Sequence, residues 1–163
     1  MKNIIMSSRE LKSVQDEVGE AAPESAEVQK KILIIDDDPV IVKALTIALN
    51  NKGYAVYSAH NGSEAMSVVR AANPDLLMVD VHLSPDDSFG AAGTWDGFQV
   101  TRWLRNVAAK KIPAIIISAN ANPDYAKYAD KIGAESFMSK PLSIATLLQS
   151  IESALAAPNQ AGL

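Results

Sequence analysis

Apolar residues in this chain come in short unbroken runs, separated by stretches with helical spacing. Ile32-Leu33-Ile34-Ile35 is the first run, and four consecutive aliphatics read as a strand buried on both faces. Asp38-Pro39 then supplies an N-cap residue and a proline at the first helical position. The spacing of Val42, Leu45, Ile47 and Leu49 carries that helix to near Gly53. Residues 54–58 predict a second strand, Asn61-Gly62 a turn, and 63–71 a helix broken by Asn73-Pro74. Leu76-Leu77-Met78-Val79 is the third strand. After a long connection, Phe98, Val100, Trp103, Leu104 and Val107 mark a third helix. Pro113 opens a fourth strand over 114–117, and Asn122-Pro123-Asp124 starts a fourth helix that ends at Gly133. Residues 135–138 predict a short fifth strand. Ile144, Leu147, Leu148, Ile151 and Leu155 give a final amphipathic helix over 143–156.

Five strands alternating with five helices predict an α/β fold with a parallel sheet and right-handed crossovers. The expected architecture is doubly wound and flavodoxin-like, (βα)5, with strand order 2-1-3-4-5. The folded unit spans 31–157, with a tail at 158–163 and no internal repeat or second domain. Residues 1–30 read differently: Asp16, Glu17, Glu20, Glu24 and Glu27 stand among few large apolar residues. They suggest a mobile N-terminal arm. A thin stripe of Ile4, Leu11, Val14 and Val18 leaves open a dimerisation helix. The absence of cysteine excludes disulfides and thiolate metal sites. A net charge of −4 with no basic stripe argues against a direct nucleic-acid partner. No apolar run approaches the length of a membrane span, and no signal peptide is evident, so a cytoplasmic location is expected.

The ends of the predicted strands carry the candidate chemistry. The first runs into Asp36-Asp37, the third into Asp80, the fourth into Ser118, and the fifth leads to Lys140-Pro141. Open parallel sheets bind ligands at the carboxyl ends of their strands, and strands 1 and 3 meet at the switch point of this order. Two carboxylates about 5 Å apart repel by roughly 3 kcal/mol at an effective dielectric of 20. A hard divalent cation relieves that repulsion, and carboxylates with backbone carbonyl and water suit Mg²⁺. An aspartate beside a cation, a lysine and a hydroxyl can also accept a phosphoryl group as an acyl phosphate.

This ordered set resembles the receiver domains of two-component response regulators. It consists of Ile34-Ile35-Asp36-Asp37-Asp38-Pro39, Met78-Val79-Asp80-Val81-His82-Leu83, Asp96-Gly97-Phe98, Ile117-Ser118-Ala119 and Lys140-Pro141. The resemblance implies that Asp80 is phosphorylated by a sensor histidine kinase or a histidine phosphotransfer protein. It implies that Asp37, Asp80 and the His82 backbone carbonyl bind Mg²⁺, with Asp36 helping through water. Lys140 would pair with the phosphoryl group, and the Lys140–Pro141 bond would be cis. Ser118 and the ring at position 137 would form the switch, remodelling the face of helix 4, strand 5 and helix 5. That face would bind a downstream protein target or a second copy of the chain. The resemblance further implies slow self-dephosphorylation rather than turnover of a free substrate.

Two departures from the family pattern stand out. Phe137 occupies a position where tyrosine is common, so the ring has no hydroxyl to bond in either state. Between Asp80 and Asp96-Gly97 the connection is well over twice the usual 2–6 residues, which predicts an insertion at about 84–95. A lid, a screen against water and a partner-selecting loop all fit that insertion, and contact of Asp86 and Asp87 with the metal and repulsion of a phosphodonor are equally open readings.

Plainer readings apply residue by residue. Asp38 is a helix cap, Phe137 alone a core aromatic, and Trp103 a packing residue. Ser118 alone reads as an ordinary satisfied hydroxyl. His82 is expected to expose its imidazole, and His60 has no partner visible in sequence. Three other functions compete. A haloacid-dehalogenase-type phosphatase expects an aspartate two residues after its nucleophile, where this chain has His82. A flavodoxin-type flavin carrier needs a phosphate loop that Asp36-Asp37-Asp38 would repel. A degenerate receiver would act as an interaction module without phosphate.

Overall fold

The computed structural model describes residues 28–84, 95–120 and 122–156. The proposed arm, apart from Val28 to Lys30, the body of the insertion, Asp86 and Asp87 with it, and the tail lie outside the described residues.

Ten elements alternate: β1 (Lys31–Ile35), α1 (Pro39–Asn50), β2 (Ala55–Ala59), α2 (Gly62–Ala72), β3 (Leu76–Asp80), α3 (Gly97–Val107), β4 (Ala114–Ser118), α4 (Pro123–Lys131), β5 (Ser136–Ser139) and α5 (Ile144–Ala156). All strand pairs are parallel, in the order β2-β1-β3-β4-β5, as the alternation predicts. The unbroken aliphatic strands occupy the centre, and β3 and β4 are buried along their whole length. The mixed sequences Ala55-Val56-Tyr57-Ser58-Ala59 and Ser136-Phe137-Met138-Ser139 lie at the two edges, where part of each strand meets solvent.

Side-chain alternation divides the core into two layers. Leu33, Ile35, Leu77, Val79 and Ile116 pack beneath α2, α3 and α4 through Met66, Val69, Phe98, Leu104 and Ala129. Ile32, Ile34, Leu76, Met78, Ile115 and Ile117 face α1 and α5 through Leu45, Leu49, Leu147 and Ile151.

Local chemistry sets the helix starts. Asp38 caps α1, accepting from Val40 N at 2.8 Å with Pro39 in the first turn. Asn61 caps α2, so that helix begins at Gly62 rather than Ser63. Asp96 and Gln99 close a reciprocal capping box on α3. Asn122 caps α4.

The strand ends differ slightly from the pattern-based bounds, in a direction that matters. β3 and β4 each run one residue further, because Asp80 pairs with Ile117 and Ser118 with Ser139. Asp80 and Ser118 therefore belong to the ladder, while Asp36, Asp37 and Lys140 follow directly on strand ends. β2 is displaced by one residue because Ala59 pairs with Ile35, and its carbonyl accepts from Asp36 N at 3.1 Å. Arg105 ties α3 to its neighbours, donating to the carbonyls of Ile112, Ile132 and Gly133 at 2.9, 2.9 and 3.1 Å.

Candidate functional site

β1 and β3 are adjacent, with Ile35 beside Val79, so the residues after β1 and the last residue of β3 come together. Asp36, Asp37 and Asp80 each offer an oxygen within 4.8 Å of the others. Asp36 and Asp80 are buried, with side chains 2% and 6% exposed. Lys140, carried in just past β5, puts its ammonium 2.7 Å from Asp36 Oδ2 and 3.1 Å from Asp80 Oδ1. The Lys140–Pro141 bond is cis.

Each buried carboxylate is held by more than charge. Asp36 Oδ1 accepts from Asp38 N at 3.0 Å, and Asp80 Oδ2 accepts from His82 N at 3.1 Å. Asp80 Oδ1 is different. Lys140 lies close enough to form an ion pair with it but off the hydrogen-bond direction, so this buried oxygen has no hydrogen-bond donor. Three carboxylates face one ammonium, an excess of about two negative charges if all are ionised. At 4.8 Å and an effective dielectric of 20, each uncompensated carboxylate pair costs about 3.5 kcal/mol. Burial pushes the Asp80 carboxyl above its usual range. Lys140 and the His82 N–H pull it back and Asp36 pushes it further up, leaving a net rise. Burial by itself would lower the Lys140 ammonium, but its hydrogen bond to Asp36 and the charges of Asp36 and Asp80 raise it overall, so it stays protonated.

Gly97 explains the Asp96-Gly97 pair. A Cβ there would overlap the Asp80 carbonyl oxygen, so the start of α3 lies directly against the backbone of Asp80. Gly97 N also donates to Val81 O at 2.9 Å.

Ser118 is fully buried at the end of β4, one step beyond the partner of Asp80. Its Oγ accepts from Asn120 N at 3.0 Å, and its carbonyl accepts from Lys140 N at 2.8 Å, which fixes the main chain that delivers the lysine. Phe137 is half-buried against the layer beneath α2, α3 and α4. His82 has an exposed imidazole, as the sequence suggests, while its backbone N–H is bound to Asp80. His60, partnerless in sequence, sets Nδ1 3.2 Å from the Asp36 carbonyl oxygen.

Two contacts escape sequence reasoning. Tyr125 of α4 places its hydroxyl 3.4 Å from His82 Nε2. Ser84 donates a hydrogen bond to Asp37 Oδ2. The only sequence signal for Ser84 is a hydroxyl four residues after Asp80.

Residues 32–152 match the family model described as the response regulator receiver domain. The chain belongs to the response regulator receiver family. Protein PilH of Pseudomonas aeruginosa is 30% identical to this receiver over 127 residues, covering 77% of the chain and 98% of PilH. The polar-differentiation response regulator DivK of Brucella anthropi is 29% identical over 127 residues, covering 77% and 96%. A solved two-component response regulator from Clostridium difficile has a TM-score of 0.69 at 26% identity, covering 80% of this chain and 99% of that one.

Membership places the chain in two-component signalling, where receivers have kinase or phosphotransfer partners and downstream protein targets. The acidic pocket is of the kind through which receivers bind Mg²⁺. Its all-oxygen donor set, with three carboxylates to one ammonium, fits a hard divalent cation. Among the described residues, no helix is long and apolar enough to cross a membrane.

Proposed function

We propose that this receiver accepts a phosphoryl group on Asp80 from a sensor histidine kinase or histidine phosphotransfer protein. The observation that carries the reading is Asp80 Oδ1, a buried carboxylate oxygen without a hydrogen-bond donor, beside two further carboxylates and an ammonium. Three crowded carboxylates sharing one ammonium are costly unless a further cation or an electrophile joins them.

Asp37, Asp80 and the His82 backbone carbonyl would hold Mg²⁺, with Asp36 supporting it through water. When bound, the ion supplies charge neutralisation for the phosphoryl oxygens. An Asp80 carboxylate oxygen forms the bond to phosphorus as the phosphorus–nitrogen bond of the phosphohistidine breaks. The electron pair of that bond returns to the imidazole. Lys140 balances charge on the transferred group.

Ser118, whose Oγ accepts from Asn120 N, donates its hydroxyl to a phosphoryl oxygen. Phe137 then moves deeper as Ser118 shifts, remodelling the face of α4, β5 and α5 for a protein target or a second copy of the chain. With no hydroxyl on this ring, burial alone biases its position. Residues 31–157 form the receiver unit, with 1–30 an appended arm, 84–95 an insertion on the phosphorylation rim, and 158–163 a tail. The acyl phosphate is lost slowly to water.

Intact-mass measurement after incubation with acetyl phosphate and Mg²⁺ tests the reading. The wild type should gain one phosphoryl group, and Asp80→Asn should gain none. No gain in the wild type would overturn phosphoacceptance, whereas an undiminished gain in the variant would move the site elsewhere.

A further inference from the structure

The three carboxylates of the pocket are not held alike. Asp36 has the Asp38 N–H and the Lys140 ammonium, and Asp80 has the His82 N–H and the Lys140 ion pair. Asp37 is half-exposed and stands outside the Lys140 ion pairs. Its carboxylate is instead bound by Ser84, 47 positions away, across the mouth of the pocket from the loop after β3. Ser84 is exposed and packs no core, so its side chain has no evident structural task apart from this bond.

We propose that Ser84 is a positioning residue for the cation, fixing the Asp37 carboxylate so that it faces Asp80. The inference rests on the metal-binding reading above. An O–H donated to an ionised carboxylate is charge-assisted and among the stronger hydrogen bonds. A carboxylate has about four lone-pair sites on two oxygens, so a hydroxyl on Oδ2 leaves Oδ1 free for a metal. The hydroxyl and the ion therefore do not compete. By holding Asp37 in one rotamer, Ser84 removes side-chain entropy that cation binding would otherwise have to overcome. Loss of a hydrogen bond that orients a metal ligand commonly weakens metal binding about 10–100-fold.

The position of Ser84 gives the bond a second consequence. It is the first residue of the proposed insertion, and Trp95 at the far end lies edge-on to Trp103 of α3, with ring centroids 5.7 Å apart. Ser84 is thus tied to Asp37, and Trp95 to α3.

Calorimetric titration with Mg²⁺ of the full chain, Ser84→Ala and Ser84→Thr tests the proposal. Ser84→Ala should bind about 10-fold more weakly, and Ser84→Thr, which keeps the hydroxyl, should return to near the wild-type affinity. With acetyl phosphate, Ser84→Ala should need about 10-fold more Mg²⁺ for half-maximal rate yet reach the wild-type rate at saturation. Wild-type affinity in Ser84→Ala, or a Ser84→Thr protein as weak as the alanine variant, overturns the role of Ser84 and leaves the metal site standing. No Mg²⁺ binding by the wild type overturns both.

Discussion

Asp80 sits where burial, a neighbouring carboxylate and a lysine oppose one another, and burial wins. A carboxyl whose folded pKa is raised contributes its full stability below the ordinary carboxylate range. That contribution is lost as pH rises through the elevated folded value. At neutral pH, ionised Asp80 therefore costs the metal-free protein stability. Asp80→Asn should stabilise it there by about 1 kcal/mol, with Lys140 still paired to Asp36. The gain should vanish in acid and shrink when Mg²⁺ is added to the wild type. Thermal unfolding in chelator at neutral and acidic pH measures it, and an equal or lower melting temperature for the variant at neutral pH would contradict the argument. The same desolvation that costs stability also keeps water from competing with the nucleophile, so one residue carries both effects.

The element that most constrains the site is α3. Its capping box sets where the helix begins, and Gly97 lets its first turn lie against the Asp80 backbone. An alanine at 97 meets main chain, which no side-chain rotation can relieve, so α3 or the end of β3 must shift. Gly97→Ala should cost about 2 kcal/mol or more, seen as a lower denaturation midpoint, and should also slow phosphoryl uptake. Unchanged stability would mean that α3 moves freely against β3. The Arg105 bonds argue otherwise, since they pin the far end of α3 to three carbonyls.

Across the whole molecule, acids and lysines pair at both ends of the strands. The site occupies the carboxyl edge, while Asp75 at the opposite edge joins three segments. It accepts from Lys31 N at 2.9 Å and from Lys110 Nζ at 2.8 Å, and its own N–H donates to the Lys31 carbonyl at 2.7 Å. Burial pushes the Asp75 carboxyl up, but the bonds from Lys110 and Lys31 and the charges of Lys110 and Lys30 outweigh it, so the net shift is downward. A lowered folded pKa gives stability that is present above the unfolded carboxylate pKa and lost as pH falls through the folded value. Asp75→Asn should therefore lower the melting temperature at neutral pH, and the difference from wild type should close on acidification. A gap that persists below the carboxylate range would assign the loss to hydrogen bonding rather than charge.

Local pattern was enough to define the elements of this receiver, because burial on both faces demands unbroken aliphatic runs and caps demand particular side chains. Asp38 caps α1 as the pattern predicts, whereas Asn61, read as part of a turn, and Asp96, read only within a motif, prove to be caps as well. The acids, the hydroxyl and the lysine could be named as a set because each stands at a strand end, and parallel strands bring their ends to one edge. Periodicity reports only on neighbours within a few positions, so it could not say which of these groups touch. That Lys140 reaches Asp36 across 104 positions, that Asp80 keeps an oxygen without a donor, and that Ser84 crosses the pocket to Asp37 follow from strand order and side-chain geometry. The sequence by itself determined the fold and grouped Asp36, Asp37, Asp80, Ser118 and Lys140 at the strand ends. Tertiary packing decided their partners, because burial and distance exist only once the sheet has formed.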